Sequence, residues 1–505
     1  MPTYSKSSTS ANPLVDPQQK SITPNLQLND RIAACWLGKS IGGTLGLPFE
    51  GQVKRLNITY YDPVPTNAPP NDDLELQLVW LHMVERCNGT LTQEDFAKAW
   101  LSHIHYMWDE YGRCRWNLRR GVPVENVGTF ENSFVSGMGS PIRSEIWACL
   151  FPGDSDSAAH YAALDASLDH GQEGIAGEVF FTVMQSEILG GQSLSEAVTK
   201  ARQYIPFASE TVRAVDLVLK LYSDGVSEWD CWEQLLARHH NENFTHAPLN
   251  VALTIWAICY SEGDFERGIL LATNGGYDTD CTAATVGATL GLHGGLGAIS
   301  DRWKEPIGDG IAIGAGIRGI SAPATLAELE SRTIALIGKL EPKTWNPAIW
   351  ETTLPPVSLT ELPGTIFIRP TGSEKEIPWA NAELPKEVKE AGGGSWDWHV
   401  ETAEPRVIIC PARHGARVFL DGKLIVECPA DFPYVPATHR DVEACRVRVN
   451  PDKGRHEVRV ELLRSDPNQD ASVFLTYLNC HHAPWTPSEL PHQATLPAAL
   501  SSGRD

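Results

Sequence analysis

In the stretch NDRIAACWLGKSIGGTLGLPFEG, the small residues Ala34, Gly38, Gly42 and Gly46 recur at a spacing of four. On an α-helix that spacing puts them on one face. A face with almost no side chains lets another helix, or a ligand, come up against the backbone, so the segment demands a close neighbour. A second stretch, NGGYDTDCTAATVGATLGLHGG from Asn274 to Gly295, has the same texture. It reads as a tightly packed helix of Ala, Gly, Thr, Val and Leu. Two aspartates, Asp278 and Asp280, stand at its mouth with Cys281 beside them.

From Leu28 to about Leu340 the pattern is mostly helical, with Asn29 or Asp30 as the first N-cap. Segments such as LTQEDFAKAWLSHI, GIAGEVFFTVMQSEIL and ETVRAVDLVLKLYSD have helical length and period. Few β-type runs interrupt them, which predicts an all-α domain over residues 28–340. Residues 341–364 are Pro-rich and read as a linker or a wrapping segment. Beyond them come short alternating runs: GTIFIRP, RVIIC, ARVFLDGKLIVEC and HEVRVELLRS. Asp421-Gly422 sits between two alternating arms, a strong hairpin signal. The expected architecture is multidomain: an all-α domain followed by a smaller β-sandwich-like domain over residues 365–482. Residues 1–27, rich in Ser, Pro and Gln, read as a disordered tail, and 483–505 as a second tail.

A chain of 505 residues fits more than one core. Its net charge of −22 argues against nucleic acid or an anionic membrane as the main partner. Eleven cysteines without a CxxC pair read as reduced, mostly buried thiols. No apolar run reaches membrane-span length, and the N-terminus has no secretory h-region. A cytoplasmic protein is the simplest expectation.

Asp278 and Asp280 have an ordinary reading as helix caps that favour the dipole. Two features weigh against it. The turn Asn274-Gly275-Gly276 precedes them and brings backbone close to something. A second acidic pair, Asp72-Asp73 after Asn71, opens another helix in PPNDDLELQLVWL. Four carboxylates brought together would repel, and a hard divalent cation is the usual remedy. Spacing alone does not show that the two mouths meet.

These three segments, in this order, resemble the ADP-ribosylglycohydrolase family, which includes the dinitrogenase reductase-activating glycohydrolase. The resemblance covers about residues 28–320. It implies an all-helical fold whose cleft holds two magnesium ions. It implies that Asn71, Asp72, Asp73, Asp278 and Asp280 are metal ligands, and that Glu50 of LPFEG lies near the scissile bond. Glu50 and Asp73 are then the candidate catalytic carboxylates; outside the motif Glu50 would read as a solvated loop residue. Two positions depart from the pattern. Asn71 stands where the family usually has Thr, and Cys281 where it has Thr or Ser. A thiol is a poor magnesium ligand, so one ion or two, or manganese, are all compatible. Cys281 also fits as a plain buried residue.

Other candidates line up as substrate contacts. Trp108 and Asp109 in HYMWDEYG suit stacking on a base or sugar and bonding its hydroxyls, or else mark a helix end. ENSFVSGMGSPIR carries Asn132, Gly137, Gly139, Ser140 and Arg143, and resembles the family's Gly-x-Gly segment near a diphosphate. An ordinary turn, with Arg143 paired internally to Glu145, is the alternative. His170 fits a site near the substrate or a partner at a helix end. Asn274 and Gly276 complete the set.

The first expectation is a magnesium-dependent glycohydrolase cleaving a ribosyl C1–N or C1–O bond, on small or protein-linked ADP-ribosyl substrates. The second keeps the fold and takes a nucleoside or other small glycoside. The third is a catalytically weak metal- or sugar-binding protein.

Overall fold

The structure is a computed structural model and describes residues 27–430, 434 and 445–477. The expected tails therefore lie outside the described residues, apart from Gln27. Fifteen described α-helices run from Leu28 to Ala335. They enclose one apolar core that includes Trp36, Trp80, Trp100, Trp147 and Trp256, all fully buried. No described helix is long and apolar enough to cross a membrane.

At the centre, the Leu28–Gly46 helix lies against the Thr279–Gly294 helix. Both are buried along most of their length, so neither shows the one-sided apolar pattern of a surface helix. The small-residue face explains their closeness. A Cβ at Gly38 would fall 2.2 Å from Gly287 O; at Gly42, 2.0 Å from Ala283 O; at Gly46, 2.1 Å from Thr279 O. In return, a Cβ at Gly291 would fall 2.3 Å from Ala34 O. The neighbour demanded by the spacing is thus a helix. The first helix begins at Leu28 with Gln27 as its N-cap, two residues ahead of Asn29 and three ahead of Asp30, the expected caps. Asp30 instead accepts from Leu296 N at 3.3 Å.

Nine strands follow among the described residues. They are β1 (Ile366–Pro370), β2 (Ile377–Trp379), β3 (Gly393–Val400), β4 (Arg406–Ile409), β5 (Ala416–Leu420), β6 (Lys423–Cys428), β7 (Arg446–Val449), β8 (Gly454–Leu462) and β9 (Phe474–Tyr477). One sheet has the order β2-β1-β3-β8-β5-β6 and the other β7-β4-β9; every pairing is antiparallel. Both contribute to one core, with Trp379, Trp396, Val418 and Val458 from the first and Ile408 and Val449 from the second. Asp421 and Gly422 turn β5 into β6 with φ of 48° and 78°, the double positive φ of a type I′ hairpin.

Residues 341–364 wrap the helical body. Glu341 N donates to Gly89 O at 2.7 Å, Trp350 Nε1 to Tyr204 O at 3.2 Å, and Asn126 Nδ2 to Pro355 O at 3.0 Å. The sheets then dock on the helices. Buried Arg113 donates to Ala380 O and Asn381 O at 3.1 and 2.8 Å, and Phe134 packs among Ala382, Val407, Ile409 and Phe474.

Candidate active site

Asn71 is extended (φ −150°) and caps the Asp72–Arg86 helix, its Oδ1 accepting from Asp73 N at 2.7 Å. Asp278 occupies the equivalent N-cap place on the Thr279–Gly294 helix, with Asp280 in the first turn. The packing of that helix on Leu28–Gly46 brings the two mouths together. Ligand atoms of Asp73, Asp280 and Cys281 lie within 4.8 Å of one another, and so do those of Glu50, Asp278 and Asp280. Glu50 is carried there by its loop: Gly51 N donates to Tyr277 O at 2.9 Å, which ties the end of the LPFEG segment to the turn before Asp278. Gly276 has φ of 72°, and a Cβ there would fall 2.3 Å from Lys54 O. Only a glycine therefore fits in that turn against this loop. Asn274 clamps the same loop, accepting from Ile58 N at 2.5 Å and donating to Ile58 O at 2.9 Å.

Burial, and then the neighbouring carboxylates Glu50, Asp278, Asp73 and Asp72, push Asp280 well above the usual carboxylate range. Asp72 rises for the same reasons. Burial raises Asp73 to about 6, although Lys39 opposes the rise. Lys39 is itself buried, with Nζ 3.5 Å from Asp73 Oδ1 and 3.1 Å from Glu145 Oε2. Asp73 Oδ2 and Asp280 Oδ1 are buried and accept no hydrogen bond, while Asp73 Oδ1 has the Lys39 ammonium beside it. Buried carboxylate oxygens without donors are costly unless a cation offsets them. An oxygen-rich donor set of this kind fits a hard divalent cation, so these acidic residues form candidate metal-binding groups.

The cluster opens into a cavity of about 330 Å³. Glu50, Asn71, Asp72, Trp108, Asp109, Gly139, Asp278, Asp280 and Cys281 all line it. Trp108 caps the Asp109–Arg119 helix, and its ring centroid is 4.4 Å from that of Tyr106. Tyr111 Oη donates to Asp72 Oδ2 at 3.3 Å.

The other sequence candidates stand behind the wall. Arg143 is fully buried and donates to Asp165 at 2.9 Å and to both oxygens of Asp169 at 2.7 and 2.8 Å. Its internal partners are these aspartates rather than Glu145, which faces Lys39 and Gln77. His170 is fully buried, with Nδ1 2.9 Å from Asp169 Oδ1 and Nε2 3.6 Å from Glu110 Oε1. Asn132 braces the loop through Gly128 O and Asp169 O, and Ser140 Oγ donates to Gly174 O. The Gly-x-Gly segment has a local cause. A Cβ at Gly139 would fall 2.1 Å from Glu110 Oε1, and one at Gly137 would fall 3.1 Å from Glu110 Oε2.

Sequence reasoning missed Lys39 and Glu75. Glu75 accepts from the Tyr106 hydroxyl and from Gly314 N and lines the cavity. Lys39 was visible as the lone charge inside ACWLGKSIGG; Glu75 had no such signal, because it depends on the distant Gly314 loop.

The fold is thus an all-helical body with a buried acidic cleft at two helix mouths, and the comparisons specify the family. The ADP-ribosylglycohydrolase model matches residues 24–336. The chain belongs to the ADP-ribosylglycohydrolase family. It is 25% identical over 304 residues to an uncharacterized protein of Archaeoglobus fulgidus, covering 56% of this chain and 93% of that one. A solved structure described as an ADP-ribosylglycohydrolase-related protein complex is 21% identical. It covers 61% of this chain and 98% of that chain, with a TM-score of 0.41.

Proposed function

We propose that the protein is a magnesium-dependent glycohydrolase that cleaves a C1–N or C1–O bond of a ribosyl group. The observation that carries this is the meeting of the two acidic helix mouths beside Glu50 in one cavity. The bond is common to the family's ADP-ribosyl compounds and to simpler ribosides.

Asp72, Asp73, Asp278 and Asp280 would hold one or two cations, with the second lone pair of Asn71 Oδ1 available as a neutral ligand. A bound magnesium ion would supply fixed positive charge for vicinal ribose hydroxyls and for a water molecule. The remaining work falls to side chains. Lys39, which is not among the cavity-lining residues, fixes Asp73, and Tyr111 fixes Asp72 by its hydroxyl. Glu50, next to Asp278 and Asp280, takes the proton of the attacking water. The C1–O bond to water forms as the bond to the leaving group breaks, and the proton taken by Glu50 balances the one the leaving group receives. Trp108 and Tyr106 present an aromatic wall to one face of the bound group.

The test is product release from a panel of ribosyl compounds with magnesium, with manganese and with a chelator. Free sugar or free ADP-ribose appearing only with the cation, and lost in Asp278→Ala, is the expected result. Turnover undiminished by the chelator would sink the reading.

A further inference from the structure

We infer that Cys428 and Cys445 are a redox-responsive pair, which a small disulfide of the glutathione class oxidises to a bond that staples the two β-sheets together. The inference is independent of the glycohydrolase reading.

Geometry is the first ground. Both residues are free thiols in this structure, and each is only 1% exposed. Cys445 Sγ donates to Cys428 Sγ at 2.7 Å. A disulfide holds its sulfurs at about 2.0 Å, so bonding asks little movement of either side chain. The sheets hold both backbones. Cys428 ends β6, where it pairs with Ala416 of β5. Cys445 stands just before β7, and its carbonyl accepts from Cys410 N at 2.8 Å. Two thiols held this close are preorganised for a bond.

The second ground is the place of the pair in the fold. β6 is an edge strand of the six-stranded sheet, and β7 is an edge strand of the three-stranded one. Backbone ladders run within each sheet, and a shared apolar core holds the sheets to each other. A Cys428–Cys445 bond would staple these two edges. It would also close the chain over residues 429–444, and closing a loop of that length restricts the unfolded chain and stabilises the fold. The staple bears on the helical body as well. β7 pairs with β4, whose Val407 and Ile409 pack with Phe134.

The two thiols are unequal. The hydrogen bond from Cys445 outweighs burial and lowers Cys428 to about 7. The same hydrogen bond, and then burial, raises Cys445 well above the usual thiol range. Cys428 is therefore the first to attack. Its thiolate attacks one sulfur of the small disulfide, which leaves a mixed disulfide on Cys428 and releases one small thiol. Cys445 then attacks Cys428 Sγ, and its proton goes to the second departing small thiol. In sum, two protein thiols give up two electrons and two protons, and the small disulfide becomes two thiols. Because both sulfurs are buried, the exchange proceeds when the edge strands part.

The experiment equilibrates the full chain with reduced and oxidised glutathione at graded ratios, alkylates the remaining thiols, and maps the digest by mass spectrometry. A Cys428–Cys445 link is expected, with loss of two of the chain's eleven thiols. The linked chain is expected to melt several degrees above the reduced one. Cys445→Ala should hold glutathione on Cys428, whereas Cys428→Ala should leave Cys445 a free thiol; both should lose the rise in melting. No link between these two at any ratio, or Cys428 bonded chiefly to Cys410, overturns the inference, and that reading of the unaltered chain needs no variant. A link that leaves melting unchanged overturns the stapling of the sheets. Glutathione on Cys445 rather than on Cys428 overturns the order of attack.

Discussion

Cys281 is buried beside Asp73 and Asp280, and burial followed by the surrounding aspartates pushes its thiol well up. A neutral thiol is a poor ligand for magnesium and a better one for softer ions. Cys281→Thr is expected to tighten magnesium binding about tenfold while leaving manganese nearly unchanged; an unchanged ratio of the two affinities, measured by titration, sinks this tuning role. A different pair of residues governs pH dependence. Burial lowers His170, but Asp169 outweighs it and raises the imidazole to about 9. Burial raises Asp169, but Arg143 and His170 outweigh it and hold the carboxyl at about 2. A raised histidine contributes stability that is full below its unfolded pKa of about 6.5. That stability is lost as pH rises through about 9. A depressed carboxyl contributes above about 3.9, and that contribution fades as pH falls towards about 2. His170→Gln should therefore cost roughly 1–3 kcal/mol near pH 6 and much less near pH 10. Thermal midpoints of both proteins at the two pH values check this, and a constant difference contradicts it. Such pairings were only half legible beforehand: the sequence offered Arg143 as a phosphate-binding group or as an internal partner of Glu145, and only the fold places it on Asp165 and Asp169.

At the scale of elements, the glycine spacing was the most informative text in the chain. Four small residues predicted a close neighbour, and carbonyls of the Thr279–Gly294 helix occupy the spaces over Gly38, Gly42 and Gly46. Gly42→Ala is expected to destabilise by about 1–3 kcal/mol through overpacking. It should also weaken cation binding, because it pushes Asp278 and Asp280 away from Asp73. Denaturant unfolding and a magnesium titration of the same variant test both halves; lost stability with unaltered affinity would mean that the two helices do not set the site. Most long helices were legible from their period. Short ones, such as Ser144–Leu150 and Asp301–Ile307, were not, because two turns give too few repeats. Strand β3 was missed for another reason: GGSWDWHV opens with glycines and carries Asp397 and His399 on its exposed side, which hides the alternation.

For the whole molecule, the wrapping segment has consequences for where the chain divides. Donors and acceptors on Gly89, Asn126 and Tyr204 are met by residues 341–355. A fragment of residues 27–364 is expected to fold and to melt several degrees above one of residues 27–340. Equal midpoints would make the segment a passive linker. The sheets also reach the cavity indirectly, since Phe134 and Arg113 connect them to the loop that carries Gly139 and to the helix that carries Glu110. Nothing in the sequence marked that contact, because its residues are over two hundred positions apart. The central claim is that two helix mouths, about two hundred residues apart in the chain, make one cation site. Calorimetric titration of magnesium into the full chain, into Asp73→Ala and into Asp278→Ala tests it most directly. Binding by the wild type and its loss in both variants, each still folded by circular dichroism, is the predicted result. A wild type that binds no magnesium, or a variant at either mouth that binds as tightly as the wild type, would contradict it.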